Sequence, residues 1–579
     1  MTHHNRFTPG LQAGYDADLA ALEAAKHTWA RTPVAERIAL LNAVKDALMP
    51  VAEGWATTAA RKKRLPPDSP LVGEEWTSGP YALMGMCNGL MQTLAQIENK
   101  DFLKHLSPRE LPNGQTAVRV VPHSIWDRLL LSGVKADIWM QRGVTPANLK
   151  RHAARAYDIA PDKRVGKVAL VLGAGNIAAI SPLDAFQKLF LENQVVLLKM
   201  NPVNDYLTDY LRAALKPLID RDALRIVKGD GAAGAYLTDH PLVEEIHITG
   251  ARATHDAIVW GTGDEGARNK AAGTPRNTRH ITSELGAVCP TIVVPGPWSA
   301  ADIRFQAEHI VTQKLHNSGF NCIAVQSLIL PRGWDKGDRL MTEVARVMET
   351  HARREAYYPG AEARMAEFAE HAEGEQRFSR GPQVPPCFVA DMERGDTEWL
   401  KQQEVFAPAL GVKHLDGADA ETYLRAAIAW ANDNLYGTLG GNILIHPATI
   451  RKIGRKRFEE IIADFRYGTI AINAWSGLGF LLAPVPWGGF AGATLDNVDS
   501  GIGTVHNCFM LENTERTVIE APWSPFPGNL LSGRFTLLPR PPWFVTNRRQ
   551  HKIGRLLTHF QYKPGWLKLP RIFVNALLG

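Results

Sequence analysis

The chain has 579 residues, 45% hydrophobic and 21% charged, the balance of a folded globular protein too long for a single core. Its five cysteines (Cys87, Cys289, Cys322, Cys387 and Cys508) show no C-x-x-C or Cys/His ligand spacing. That argues against a zinc site and a disulfide framework and predicts no metal and a reducing, cytoplasmic setting. Charge is unevenly placed: nine of the 65 Lys and Arg residues follow Glu520, where no acidic residue occurs, and the rest of the chain carries 56 basic against 59 acidic residues.

Met1-Thr2-His3-His4-Asn5-Arg6 precedes no apolar stretch, so no signal peptide is expected, and no uncharged apolar run approaches the roughly 18 residues of a membrane span. Helical spacing of Ile38, Leu41, Val44 and Leu48 predicts two helices over 16–48, broken at Thr32-Pro33. Residues 75–105 read as mostly helical, their Met/Leu face as core packing. Residues 116–121 alternate like a strand after the turn Pro112-Asn113-Gly114. From residue 165 short buried strands (168–172, 195–199, 224–227, 245–249) alternate with helical segments, which predicts a parallel α/β sheet covered on both faces. Residues 260–280 read as a polar loop. A second α/β block is expected over 286–470, with strands near 291–294, 325–330 and 440–445, a charged loop-like stretch at 350–385 and a Pro/Gly linker at 380–386. A strand at 468–473 and a glycine-rich stretch at 477–503 complete it, and no internal repeat is apparent.

Three local patterns carry chemistry. Gly229-Asp230-Gly231-Ala232-Ala233-Gly234 matches G-x-G-x-x-G between a strand and a helix, which fits a nucleotide cradle or simply a tight turn. Thr249-Gly250-Ala251-Arg252 ends a strand and opens a helix whose free N–H groups form an anion site, and Lys199 ends the second strand, where strand ends face ligand. Cys322, three residues after Gly319, is either a small buried hydrophobe or a nucleophile. The second reading needs a base and an oxyanion donor nearby.

Asn176 and Lys199 lie 23 residues apart. The glycine turn, His240-Pro241, Thr249-Gly250, Glu284-Leu285-Gly286, Gly319-x-x-Cys322, Glu404-x-Phe406-x-Pro408 and Asn434-x-Tyr436-Gly437 follow in order. This succession resembles the aldehyde dehydrogenase superfamily over roughly residues 20–510. The resemblance implies a Rossmann-like NAD(P)-binding domain, a second α/β catalytic domain and an oligomerisation arm. The boundaries expected are 1–164 for N-terminal helices and arm, 165–285 for the cofactor-domain core and 286–470 for the catalytic domain. A return strand and oligomerisation segment would occupy 471–520, and a basic aromatic extension 521–579.

It further implies Cys322 as nucleophile, the Asn176 amide and Cys322 N–H as oxyanion donors, and Glu284 as the base that activates water. Lys199, Gly229, Gly234, Thr249, Gly250, Ala251, Glu404 and Phe406 would hold NAD or NADP. An aldehyde substrate, a homodimer or homotetramer, and Cys289 as a spectator complete the expectation. Three positions depart from the pattern: Gly175 stands where a Trp is usual, Pro202 where an acidic residue often binds the adenosine ribose, and Ala251 where a serine is usual. The stretch from Gly175 to Pro202 is also similar to the fatty acyl-CoA reductase branch, which leaves acyl-thioester reduction as a rival to aldehyde oxidation. Glu284 favours hydrolysis to the acid. A catalytically retired dinucleotide-binding scaffold is the third reading, disfavoured because Asn176, Glu284 and Cys322 stand together.

In 521–579 the cations alternate with Trp523, Trp543, Phe544, Phe560, Tyr562, Trp566 and Phe573, with Pro-rich turns at 522–527 and 539–542 and an amphipathic helix at 550–560. Membrane-surface contact and an oligomer interface both fit. Nucleic-acid binding fits the charge alone and is not expected.

Overall fold

The computed structural model describes residues 7–352, 354–378, 387–525, 528–529 and 540–579. The expected 380–386 linker, Arg534 and parts of both Pro-rich turns fall outside the described residues. Among the described residues, two large sheets and a two-stranded one organise the chain. The smaller of the two large sheets has five strands in the order Leu224–Val227, Val195–Lys199, Val168–Leu172, Glu245–Gly250 and His280–Leu285, all parallel. Its three middle strands are buried almost throughout, as expected for a sheet covered on both faces. The chain order reverses beside Val168–Leu172, so a crevice opens at the strands' carboxyl ends.

The N-terminal helices Pro9–Arg31 and Val34–Lys62 break at Thr32-Pro33, where Pro33 lacks the N–H that would continue the first helix. The first is fastened to the small sheet: Tyr15 donates to the Lys228 carbonyl at 2.6 Å and Trp29 to that of Leu189 at 3.1 Å.

The larger sheet has eleven strands. Its centre is parallel and draws on Cys289–Val293, Val325–Pro331, Ala409–Leu415, Gly440–Leu444 and Thr469–Ile472. Thr514–Glu520 joins beside Thr469–Ile472 and carries the antiparallel strands Lys135–Met140, Thr116–Val121 and Ser107–Glu110 outward. The segments expected to form an oligomerisation arm thus extend the chain's own sheet.

Two expectations need correction. Residues 260–280 are not a loop throughout: Gly263–Ala272 is a helix, with Asp264 and Glu265 in its first turn and Gly273 at φ 63° closing it. It buries only Gly266, so it shows end signals without an apolar stripe. Within 350–385, Ala361–His371 is a helix burying Ala361, Met365 and Phe368, and Glu373–Phe378 is an edge strand.

The C-terminal extension belongs to the body. Its helix Gln550–Tyr562 lies so close to residues 72–81 that a Cβ on Gly73 would come 2.3 Å from the Gln550 carbonyl carbon. Trp523, Trp543, Phe544 and Phe560 are buried within the chain. Trp523 meets Trp298 at 4.7 Å, and Phe544 meets Phe305 at 5.3 Å.

Candidate active site

A cleft of about 1040 Å³ opens between the small sheet and the catalytic block. Asn176, Lys199, Gly234, Thr249, Gly250, Ala251, Glu284, Cys322, Glu404 and Phe406 all line it. Gly229 does not; its missing Cβ makes room for Ala233 and the Tyr15 hydroxyl, at 2.6 and 2.8 Å from where a Cβ would stand. Gly231 and Gly234 of the same turn do face the cleft.

Two helix N-termini reach this space and differ. Asp230 caps helix Gly231–Asp239 with its own carboxylate, accepting from the Ala233 N–H at 3.0 Å. That terminus already holds an anion. Helix Arg252–Trp260 begins after Ala251 with no side-chain cap, and its first turn lines the cleft; free N–H groups at such an end complement a phosphate. The G-x-G-x-x-G match is thus a packed turn before a capped helix, and the second glycine turn opens an uncapped one. The Thr249 hydroxyl points away, donating to Asp184 at 2.8 Å. Lys199 is buried enough that its ammonium is pushed down to about 8, against the opposing pull of Asp230 and Asp205. Asn201 lines the cleft near the position where Pro202 replaces an acidic residue.

Cys322 follows a turn with three successive left-handed residues: Asn317 at φ 52°, Ser318 at 56° and Gly319 at 83°. Such backbone persists only where its surroundings fix it. A Cβ at Gly319 would meet the Ala407 backbone at 2.9 Å. Burial, the Glu284 carboxyl and Glu404 push the Cys322 thiol well above its ordinary value, so at neutral pH it is a thiol that needs a base. Glu284, near the end of strand His280–Leu285, is pushed up to about 8 by burial and by Asp184, against hydrogen bonds with Cys322 and Trp487. Glu404 is also pushed up to about 8, by burial and Glu284, with Lys314 and Arg364 opposing. Glu404 sits against Gly286, where a Cβ would come 1.9 Å from its Oε2. Phe406, at φ 47°, rests on Tyr358 at 5.1 Å. Cys289 is fully buried, its thiol pushed up to about 12, and its Sγ donates to the Cys322 carbonyl at 3.5 Å.

Asn176 donates one amide N–H to the Phe320 carbonyl at 2.9 Å, which leaves the second free. Sequence reasoning missed what holds this amide. Asn317 donates to the carbonyls of Asn176 (3.2 Å) and Phe320 (3.0 Å). Tyr357 donates to the Asn176 carbonyl at 3.2 Å. Behind them lie two buried ion pairs, Glu74–Arg354 at 2.6 Å and Lys63–Glu75 at 2.9 Å. Glu74 accepts from the Asn317 N–H at 2.9 Å, and Lys63 donates to the Asn317 Oδ1 at 3.2 Å. Glu74 is held below its usual range, Arg354 and His316 outweighing burial. Only the adjacent carboxylates Glu74-Glu75 in an otherwise apolar helical stretch hinted at this support. Arg364 and Tyr436 also line the cleft, with Arg252 over the Tyr436 ring at 5.5 Å.

The aldehyde dehydrogenase family model matches residues 179–511, more than half of the chain. The chain belongs to the aldehyde dehydrogenase family and is an enzyme of that class. Solved structures agree on the fold. Lactaldehyde dehydrogenase from Escherichia coli aligns at 16% identity and TM-score 0.56, covering 87% of this chain and 91% of that one. Aldehyde dehydrogenase C from Pseudomonas syringae, complexed with NAD+ and octanal, aligns at 17% identity and TM-score 0.57, covering 89% and 90%. An NADP-dependent E. coli enzyme aligns at 16% identity and TM-score 0.54, covering 87% and 89%.

Proposed function

We propose that the protein oxidises an aldehyde to a carboxylic acid with NAD or NADP, through a thiohemiacetal and then a thioester on Cys322. The observation that carries this reading is that Cys322, Glu284 and Asn176 line one cleft, with the Glu284 carboxyl in hydrogen-bond contact with Cys322. The cleft fits the cofactor: the uncapped helix after Ala251 suits the pyrophosphate, Lys199 the adenosine ribose, and Glu404 with Phe406 the nicotinamide end. A bound nicotinamide supplies a hydride acceptor. The P. syringae and NADP-dependent neighbours support either dinucleotide.

The Cys322 thiol gives up its proton to solvent before attack, and Glu284, as carboxylate, takes a proton from the water that hydrolyses the thioester. The second Asn176 N–H and the Cys322 N–H would donate to the carbonyl oxygen as negative charge develops on it. Ala174, Ile177 and Ile180 cluster with Phe480 beside Asn176, which favours an aldehyde with an apolar chain.

Glu284 decides between water and CoA as acyl acceptor, and its presence favours water. The test is Glu284→Gln with rapid mixing of dinucleotide and a medium-chain aldehyde. The expected outcome is a burst of reduced cofactor followed by turnover slowed at least about 100-fold, consistent with the loss of a general base. Wild-type turnover that requires CoA would instead assign the acyl-CoA branch. Dinucleotide binding without turnover on any aldehyde would assign the scaffold reading.

A further inference from the structure

The C-terminal helix Leu569–Leu577 carries apolar side chains on two sides, with Arg571 and Asn575 among them. One side is accounted for: Leu569 and Ile572 are buried with Phe560, against Trp126, Leu129 and Leu557. The other side is not. Trp566, Leu567, Val574, Leu577 and Leu578 are 62, 96, 53, 59 and 56% exposed. Five of the eight large apolar side chains exposed among the described residues therefore fall within residues 566–578. Leu567, Val574 and Leu578 recur at helical spacing, so they form one stripe, and Arg571 stands on the same stripe. A helix apolar on both sides needs a second apolar neighbour.

The charge around the stripe states what that neighbour is. No acidic residue follows Glu520. Lys563 and Arg571 are exposed, Arg571 on the stripe itself, and Lys568 donates its ammonium to the carbonyls of His559 and Lys563. The nearby acids on helix Val34–Lys62 are already engaged: Glu53 pairs with Arg555 at 3.1 Å, and Asp46 accepts from Tyr562 at 2.8 Å. Exposed leucines and a tryptophan between cations make the pattern of a helix lying in a bilayer interface. No described helix is long and apolar enough to cross a membrane, so the contact is with the surface.

We propose that this helix docks the enzyme on an anionic phospholipid bilayer, with Trp566, Leu567, Val574, Leu577 and Leu578 in the acyl boundary and Lys563, Lys568 and Arg571 among the headgroups. The test is co-sedimentation of the full chain with phosphatidylcholine vesicles holding one quarter phosphatidylserine. The expected result is binding weakened at least about tenfold by Leu567→Glu/Leu577→Glu, and to a similar degree by Lys563→Gln/Arg571→Gln or by vesicles of phosphatidylcholine alone. Turnover in lipid-free buffer should stay at the wild-type value, since these side chains are exposed and none lines the cleft. Equal sedimentation of wild type and the double-glutamate variant would overturn the proposal. So would light scattering showing a wild-type dimer that the glutamates dissociate, because the stripe would then be covered by a second copy.

Discussion

Glu74→Gln tests whether the buried ion pair behind the active-site turn serves stability alone. Glu74 and Arg354 face each other at 2.6 Å with side chains 1% and 2% exposed. Removing one charge leaves the guanidinium buried without its counter-ion, which costs about 3–5 kcal/mol. The same carboxylate accepts the Asn317 N–H, and Asn317 holds the Asn176 and Phe320 carbonyls. The loss should therefore reach kcat as well as stability. Replacing both partners, Glu74→Met with Arg354→Met, removes the uncompensated charge and is close to neutral for the pair itself. It still strips the Asn317 N–H of its acceptor, which costs about 1–3 kcal/mol at a turn already held in left-handed backbone.

The expected signature is a split. Glu74→Gln loses both thermal half-life and kcat. The double Met variant regains most of the half-life but keeps at least a tenfold deficit in kcat, with KM for the dinucleotide little changed. Inactivation half-lives and steady-state kinetics at one temperature read both quantities. If the double variant recovers kcat in step with half-life, Glu74 acts on stability alone and the positioning argument is wrong. The carboxyl is held below its usual range when folded, so its contribution is complete above about pH 4.5 and fades as pH falls through the lowered value.

Three other outcomes follow from the same geometry. Gly286→Ala places a Cβ 1.9 Å from the present Glu404 Oε2, so it should displace Glu404 and raise KM for the dinucleotide about tenfold or more while circular dichroism stays that of the wild type. Turnover should climb as pH rises through about 8, where Glu284 becomes carboxylate. In Glu284→Gln that limb should vanish and iodoacetamide should alkylate Cys322 faster at pH 8, because a charge opposing the thiolate is gone; unchanged alkylation would refute the coupling. Burial pushes His316 and His506 down to about 4. The unfolded chain takes up their protons near pH 6.5 and the folded one does not, so stability should already decline between pH 6.5 and 4, by about 2 kcal/mol per histidine at pH 5. Urea unfolding at pH 7 and pH 5 measures this.

The cofactor sheet was legible because its strands are short apolar runs bounded by glycine and polar turns, and because Asn176, Lys199, Glu284 and Cys322 keep a family order along the chain. What escaped reading depends on contacts distant in sequence. Gly229 and Gly250 look alike as letters, yet Tyr15, from a helix over 200 residues earlier, fills the space at one, and an uncapped helix opens behind the other. Helix Gly263–Ala272 carried no apolar stripe because it buries almost nothing.

The support for Asn176 was illegible for a related reason. A turn with three left-handed residues is held by carbonyl, amide and carboxylate partners drawn from residues 63–75, 176 and 354–357. None of these has a signature of its own, because a buried carboxylate becomes distinctive only beside the cation that neutralises it. The order of motifs thus points to the groups proposed to react, while the ion pairs beneath residues 317–320 would set how firmly those groups are held. Glu74 and Arg354 are where that second property can be changed without touching any group in the cleft.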